Sequence, residues 1–387
     1  MFENPLVGVG LHAVGGAAHG SFYTPLKKVR VWAWESAWLI QGIAAWIVTP
    51  WLVAEVSGSR PWSTLVESPP EAVLMTFVFG AVWGVGSLTF GLSMRYLGVS
   101  LGMAVALGYT VSLGTLVPPM IAGQLSELLA GWGGRIVLLG ILTCLAGIAL
   151  CGWAGVRRER EQAENLRPRD RTSLMLGFAV ATFSGIMSSG FAFGIQSGQP
   201  IAQVALANGA PVLFQNSPVF IVVMAGGFLV NAIWCLYLGF RNRSVGDFLG
   251  REAAQRSDWN GPVETPPNGN WLASNYFWAA LAGVTWYCGF MLYGMGTTFM
   301  GRYDFTSWSI HLAFVIAFST VCGILVGEWR GVRVATRWLV GSAMAVLVCS
   351  TMVIAAGNRT ASAETAAAEP QAATDVAGLN SSTPSDD

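Results

Sequence analysis

Charge is what this chain has least of. Only 11% of its residues are Asp, Glu, Lys or Arg, against 53% apolar, where soluble chains average roughly 25% charged. A water-soluble globular domain is therefore excluded as the main architecture. Net charge is zero, so there is no basic excess to hold nucleic acid. The six cysteines lie at 144, 151, 235, 288, 322 and 349, form no CxxC pair and all fall in apolar runs. They read as small core residues, and neither a metal site nor a disulfide framework is expected. HExxH, a Walker-type GxxxxGK[ST] and a paired-aspartate motif are all missing, so no enzyme, no cofactor and no nucleotide-driven pump is expected. The N-terminal segment has no Lys or Arg before Lys27 and no cleavage signal after it, and it reads as a retained first span.

What is present is a set of long uncharged stretches, rich in the 17 tryptophans and 47 glycines of the chain. Free of acids and bases are 4–26, 36–54, 72–94, 96–126, 136–156, 172–240, 265–301, 305–327 and 338–358. A span needs about 20 residues. Each stretch holds one helix, except 172–240, which holds two and breaks where Pro200, Pro211 and Pro218 interrupt the apolar pattern. The expected fold is an all-α integral membrane protein of ten transmembrane helices.

The cations orient it. Lys27, Lys28, Arg30, Arg95, the arginines of 157–171, Arg241, Arg243, Arg251, Arg256, Arg330, Arg333 and Arg337 fall in alternate connections. Positive loops stay in the cytoplasm, so both termini are expected outside. Trp32, Trp34, Trp46 and Trp51 flank span 2, and Trp271 and Trp278 open span 8. They read as interfacial side chains. The segment 358–387 is rich in Ala, Ser, Thr and acids and is expected to be a disordered periplasmic tail. The stretch 241–270 reads as a flexible cytoplasmic loop.

A repeat emerges when GAVWGVGSLTFGLSMRYLG (80–98) is set against GVTWYCGFMLYGMGTTFMG (283–301). At a constant offset of 203, Gly80, Trp83, Gly86, Gly91 and Gly98 meet Gly283, Trp286, Gly289, Gly294 and Gly301, and Phe90 meets Tyr293. The pair are spans 3 and 8. Five spans per copy is an odd number, so the second copy enters from the opposite side. This 5+5 inverted-topology repeat typifies secondary transporters, which bind substrate between the halves. The expected units are 1–156, an Arg-rich cytoplasmic linker 157–171, and 172–357.

Ionisable groups inside spans are costly and often functional. All three histidines lie within spans. In span 1, Gly8, His12, Gly15 or Gly16, His19 and then Tyr23 form a narrow polar stripe at helical spacing. In span 9, Asp304, Trp308 and His311 share one face, with Tyr303 and Ser307 beside it. His311 lies about 10 Å deeper than Asp304 at 1.5 Å per residue. Core histidines bonded to backbone, and a first-turn acid facing the helix dipole, are the plainer alternatives. Arg302 reads as an interfacial side chain. Gln41 is a candidate cavity residue, and Asn231, Gln215 and Asn216 are candidate sugar contacts. Trp83 and Trp286 offer flat faces to a pyranose ring or to core packing.

The motifs SFYTPLKKVRVWAWE (21–35), FGAVWGVG (79–86), MRYLGVSLGM (94–103) and YDFTSWSIH (303–311) resemble the bacterial L-rhamnose/proton symporter family of the drug/metabolite transporter superfamily. The resemblance runs from about residue 5 to 357. It implies ten helices in a 5+5 inverted repeat and uptake of L-rhamnose with a proton across the bacterial inner membrane. His12, Tyr23, Pro25, Lys27, Lys28, Glu35, Trp83, Arg95, Tyr303, Asp304, Ser307, Trp308 and His311 fit the family pattern. Ser87 and Thr89 stand where that pattern has asparagines, and GIQSGQP (194–200) also departs from it. If those positions touch sugar hydroxyls, the substrate is another deoxyhexose or a pentose. Asp304, His311 and His12 are the candidate proton carriers. Tyr23, Gln41, Trp83, Ser87, Trp286, Tyr303, Ser307 and Trp308 are the candidate sugar contacts. The expected partners are a sugar, protons and the lipid bilayer, with no nucleic acid and no metal. An exporter or exchanger of another small polar metabolite on the same scaffold is the alternative.

Overall fold

The computed structural model describes residues 4–97, 99–121, 123, 125–162, 171–250 and 270–380, and they hold helices and no strand. The principal helices are α1 Pro5–Ser21, α2 Trp34–Val56, α3 Pro70–Leu97, α4 Val99–Ile121, α5 Trp132–Gln162, α6 Arg171–Ser188, α7 Ser217–Arg241, α8 Trp271–Thr297, α9 Ser307–Leu325 and α10 Val334–Asn380. Among the described residues, eight helical segments are long and apolar enough to cross a membrane. The chain is thus a multi-pass membrane protein. The segments without that property are α1, which has only 17 residues, and α8, which carries Asn275, Trp286 and Tyr293. These two helices pack against each other.

Local sequence sets the breaks. After α6 come the short helices Gly190–Ser197 and Gln199–Ala207 and the 3₁₀ turn Val212–Phe214, so the chain breaks where prolines recur. A proline at the first positions of Gln199–Ala207 and of α7 starts each without losing a helical hydrogen bond. Helix α2 widens into a π-helical stretch at Ile43–Val48, immediately before Pro50. Pro50 has no N–H to close the usual bond, and Thr49 Oγ1 donates instead to the Ala44 carbonyl at 2.7 Å. The widened turn carries Trp46 into the core, where it is 3% exposed.

Helix association in lipid depends on close backbone approach at small residues. Gly80 of α3 lies against the Val223 carbonyl of α7, and Gly283 of α8 lies against the Gln41 carbonyl of α2. Gly86 of α3 faces Ser188 of α6, and Gly289 of α8 faces His19 and Gly15 of α1. Gly185 of α6 meets Ala106 and Tyr109 of α4, while Gly16 of α1 meets Phe314 of α9. Exchanging each helix for the one five places along pairs these contacts off: α3–α7 with α8–α2, α3–α6 with α8–α1, and α6–α4 with α1–α9. Helices α5 and α10, which exchange with each other, pack together.

Three expectations change. Trp32 and Trp46 are buried in protein rather than held at an interface; the Trp32 indole donates to the Asp247 carbonyl at 2.9 Å. The loop after α7 is ordered at its start. Val245–Leu249 forms a 3₁₀ turn, and the Asp247 carboxylate accepts from the Ala33 N–H and the Ser36 hydroxyl. Glu35 is 6% exposed and accepts from Ser244 and Asn242 of the same loop. Residues 251–269 of the loop lie outside the described residues. Finally, α10 continues past 358, because Ala-rich sequence favours helix and the chain finds partners. Asn358 donates to Thr306 Oγ1 at 3.0 Å, and Glu364 accepts from the first N–H groups of α5. The end of the expected tail, 381–387, and the linker 163–170 also lie outside the described residues.

The glycine contacts generate a test. Gly80→Ala and Gly283→Ala each place a methyl group against a backbone carbonyl, at a cost of about 1–3 kcal/mol. Gly341→Ala meets open space and should gain up to about 1 kcal/mol. Thermal unfolding in detergent should show lower midpoints for the first two and an unchanged or higher one for the third. Equal midpoints for all three would contradict the packing described.

Candidate functional site

Two connected regions occupy the centre of the bundle, and both depend on α8. The first is a polar pocket. Its walls include Gln196 and Gln199 from the short helices after α6, Gln215 and Asn216 before α7, Tyr293 of α8 and Trp308 of α9. Asp304 lines it from the 3₁₀ turn Gly301–Thr306, with its side chain exposed. Trp308 fits because Gly114 of α4 leaves room for the indole, whose Nε1 donates to the Thr110 carbonyl at 3.1 Å. Asn216 donates to the Gly294 carbonyl and to Thr297 Oγ1, which leaves its own Oδ1 buried without a protein partner. The wall thus offers hydrogen-bonding groups, an indole face and an apolar patch at Ala192 and Ile195. This is the composition of a site for a small polyhydroxylated ligand.

The second region begins at Tyr293. Its ring lies 5.3 Å from His311, 5.6 Å from His12 and 5.9 Å from Trp308, centroid to centroid. It therefore links the pocket to the histidines. All three histidines of the chain converge there. His311 Nε2 and His19 Nδ1 are 3.4 Å apart, and the His12 and His311 rings are 6.0 Å apart. His12 and His311 are fully buried, and His12 rests against Gly296, where a Cβ would crowd the imidazole. Both ring nitrogens of His12 and Nδ1 of His311 make no hydrogen bond within the protein. A buried polar group left in that condition costs roughly 1–3 kcal/mol, a cost that a core histidine serving only to pack would not carry. The plainer reading of the span 1 histidines, imidazoles bonded to backbone or Ser, does not describe His12, and His19 contacts His311 instead.

Beyond His19, the ring contacts continue to Trp286 at 4.9 Å and Phe290 at 4.8 Å. Trp286 then stacks on Trp83 at 5.9 Å with the planes 27° apart, and Trp46 closes a triangle at 5.7 and 5.6 Å. The two tryptophans matched by the repeat thus meet face to face. Gln41, also fully buried, has neither amide atom bonded within the protein. Asn231 ties this region together on the α7 side. It donates to Ser87 Oγ at 3.1 Å and accepts from the Trp38 indole at 3.3 Å.

The residues singled out from sequence therefore separate. Asp304, Trp308, His311 and His12 are connected through Tyr293, and Trp286 joins them through His19. Trp83 belongs to the tryptophan triangle, while Ser87 is engaged by Asn231. Tyr303 is turned away into an apolar cluster with Val9 and Met300, and Ser307 is fully buried with an unbonded hydroxyl. Tyr23 is 41% exposed and touches Phe22 outside the pocket. The side chains of Arg302 and Arg95 lie outside the described residues. Sequence reasoning gave Tyr293 and His19 no role and reached Gln196 and Gln199 only as part of the departing segment 194–200. One available signal was Tyr293 itself, which adds a hydroxyl where its repeat partner is Phe90. Among the described residues, no group of His, Cys, Asp and Glu has the arrangement to hold a metal ion, and the cysteines are unpaired.

Comparison with known proteins matches residues 1–362 to the family model described as L-rhamnose-proton symport protein (RhaT). A curated L-rhamnose-proton symporter from Yersinia pestis (strain Pestoides F) is 33% identical over 331 residues, which cover 84% of this chain and 90% of that protein. One from Cronobacter sakazakii (strain ATCC BAA-894) is 32% identical over 327 residues, covering 84% and 89%.

Proposed function

Because the chain belongs to the L-rhamnose-proton symport protein family, we propose that it imports L-rhamnose together with a proton across the bacterial inner membrane. The observation that carries this reading is the junction at Tyr293, where an Asp304-lined polar pocket meets the three buried histidines. The glutamines and Asn216 offer bonds to the sugar hydroxyls, and Trp308 offers a face to the ring. L-Rhamnose is a 6-deoxy sugar, and its methyl group matches the patch at Ala192 and Ile195. Both departures from the family pattern bear on this. Ser87 is bonded to Asn231, away from the pocket, whereas Gln196 and Gln199 line it. Substrate preference therefore turns on the glutamines.

The fold we propose has ten spans, with α1 and α8 added to the apolar eight. It is built as two inverted halves, 1–156 and 172–357, joined by a cytoplasmic linker at 157–171. The exchange of contacts between helices five places apart supports it, as does the stacking of Trp83 on Trp286. The alternation of cations between connections supports both termini outside. That orientation places the Asp304 pocket on the outer side and loop 241–270 in the cytoplasm, with residues beyond 358 in the periplasm. Sugar and proton enter the pocket from outside, and the halves rock about the tryptophan triangle to open the opposite side. Asp304, with His311 or His12, takes the proton. A neutral carboxyl group crosses the apolar interior at lower cost than a carboxylate.

Asp304→Asn should therefore abolish uphill L-rhamnose uptake in energised vesicles, reducing it by about 100-fold, the scale of a lost protonation site. Accumulation at the wild-type level would remove Asp304 from coupling. A single cysteine introduced at the exposed position 363 in a Cys-free background should react with an impermeant maleimide added to intact spheroplasts. Labelling only after lysis would reverse the orientation.

A further inference from the structure

The two halves share their packing and differ in their chemistry at one contact. Where Gly86 of α3 faces Ser188 of α6, Gly289 of α8 faces His19 of α1. The position that is a serine in one half is an imidazole in the other. His19 and His311 are joined by a 3.4 Å contact between His19 Nδ1 and His311 Nε2. His19 is also half-buried, whereas His12 and His311 are fully buried. On its far side it contacts Phe22, in the segment leading to Lys27 and Lys28. A group that bonds to a buried imidazole and packs against the segment leading to a cation-rich connection has the position of an exit.

We propose that His19 is the residue through which the coupling proton leaves the bundle, passed from His311 and brought to His311 from the Asp304 pocket past Tyr293. The proposal rests on the reading of the chain as a proton-coupled sugar importer. The transfer balances with one proton in and one out. His311 takes a proton at Nδ1, which has no other partner in the protein, and gives up the proton on Nε2 to His19 Nδ1. His19 then releases the proton from its own Nε2. Each ring begins and ends neutral in the opposite tautomer, and rotation of the rings restores the start. No imidazolium needs to persist in the low-dielectric interior, where its cost would be highest. The other titratable side chains facing this pair are His12 on α1 and Tyr293 on α8, and Asp304 lies in the pocket that Tyr293 also lines. Cys144 on α5 is engaged with the Ser309 carbonyl at 3.9 Å. The remaining ring neighbours of His19 are Trp286 and Phe290, which carry no proton to exchange in this range.

His19 serves the proton and not the sugar, since it does not line the pocket. Its loss should therefore separate exchange from accumulation. The test uses the full-length protein in proteoliposomes, with labelled L-rhamnose as the probe. Counterflow against unlabelled sugar at equal pH needs no net proton release. Uphill uptake driven by an inward proton gradient does. His19→Gln should keep counterflow within about twofold of wild type and lose uphill uptake by about tenfold or more, as for removal of a positioned proton-transfer group. His19→Ser, which installs the residue found at the matching place in α6, should behave alike and guards against a folding defect peculiar to glutamine. Wild-type accumulation by either variant would overturn the proposal, and so would loss of counterflow in both. Absence of L-rhamnose counterflow in the wild-type protein would instead overturn the reading of the function on which the proposal rests.

Discussion

Hydrocarbon gives two apolar helices no hydrophobic reason to associate, so the architecture depends on the places where glycine lets backbones touch. Gly80 against Val223 and Gly283 against Gln41 are the two that matter most. Each brings α3 or α8 against the helix on the far side of the bundle. Trp83 and Trp286 stand three residues further along, nearly one turn, and meet at 5.9 Å. With Trp46 swung inward by the π-helical stretch before Pro50, they fill the centre with flat, rigid surface. On α1, Gly15 and Gly16 set that helix against α8 and α9, so that His12 and His19 reach His311. The chemistry is placed by contacts in which no side chain takes part on one side.

The halves differ where function requires it. The glycine contacts of α3 and α6 pair off with those of α8 and α1. The ionisable groups do not exchange. His19 corresponds to Ser188 through the contacts of Gly289 and Gly86, and Tyr293 corresponds to Phe90 by sequence offset. The three histidines and Tyr293 are gathered on α1, α8 and α9. The pocket draws Gln196, Gln199, Gln215 and Asn216 from the same stretch, 172–357, that holds α8 and α9, and Gly114 and Pro118 from α4. His12 and His19 of α1 meet His311 of α9 and Tyr293 of α8, so stretches 1–156 and 172–357 both contribute to the histidine cluster.

Much of this was legible in the sequence, for physical reasons. Gaps between charges follow from the cost of carrying charge through lipid, and they located the helices. The offset of 203 identified the tryptophans that stack. Helical spacing put Asp304, Trp308 and His311 on one side, and all three converge on Tyr293 or its pocket. Tyr303 was misplaced because spacing assumes continuous α-helix. Residues Gly301–Thr306 are wound as 3₁₀, and Tyr303 has φ −107° and ψ 46°, which turns it out of register. Trp32 and Trp46 were misread because tryptophan suits an interface and a core equally. Gln196 and Gln199 sit in a break that has no periodicity to read, and only the fold brings them to Trp308.

The proposed coupling sends sugar and proton through one connected site. It is tested most directly by adding L-rhamnose to lightly buffered, de-energised right-side-out vesicles that contain the protein and recording external pH. The account predicts that the medium turns alkaline as protons enter with the sugar, and that a protonophore abolishes the signal. Entry of labelled L-rhamnose with no change in external pH would contradict it.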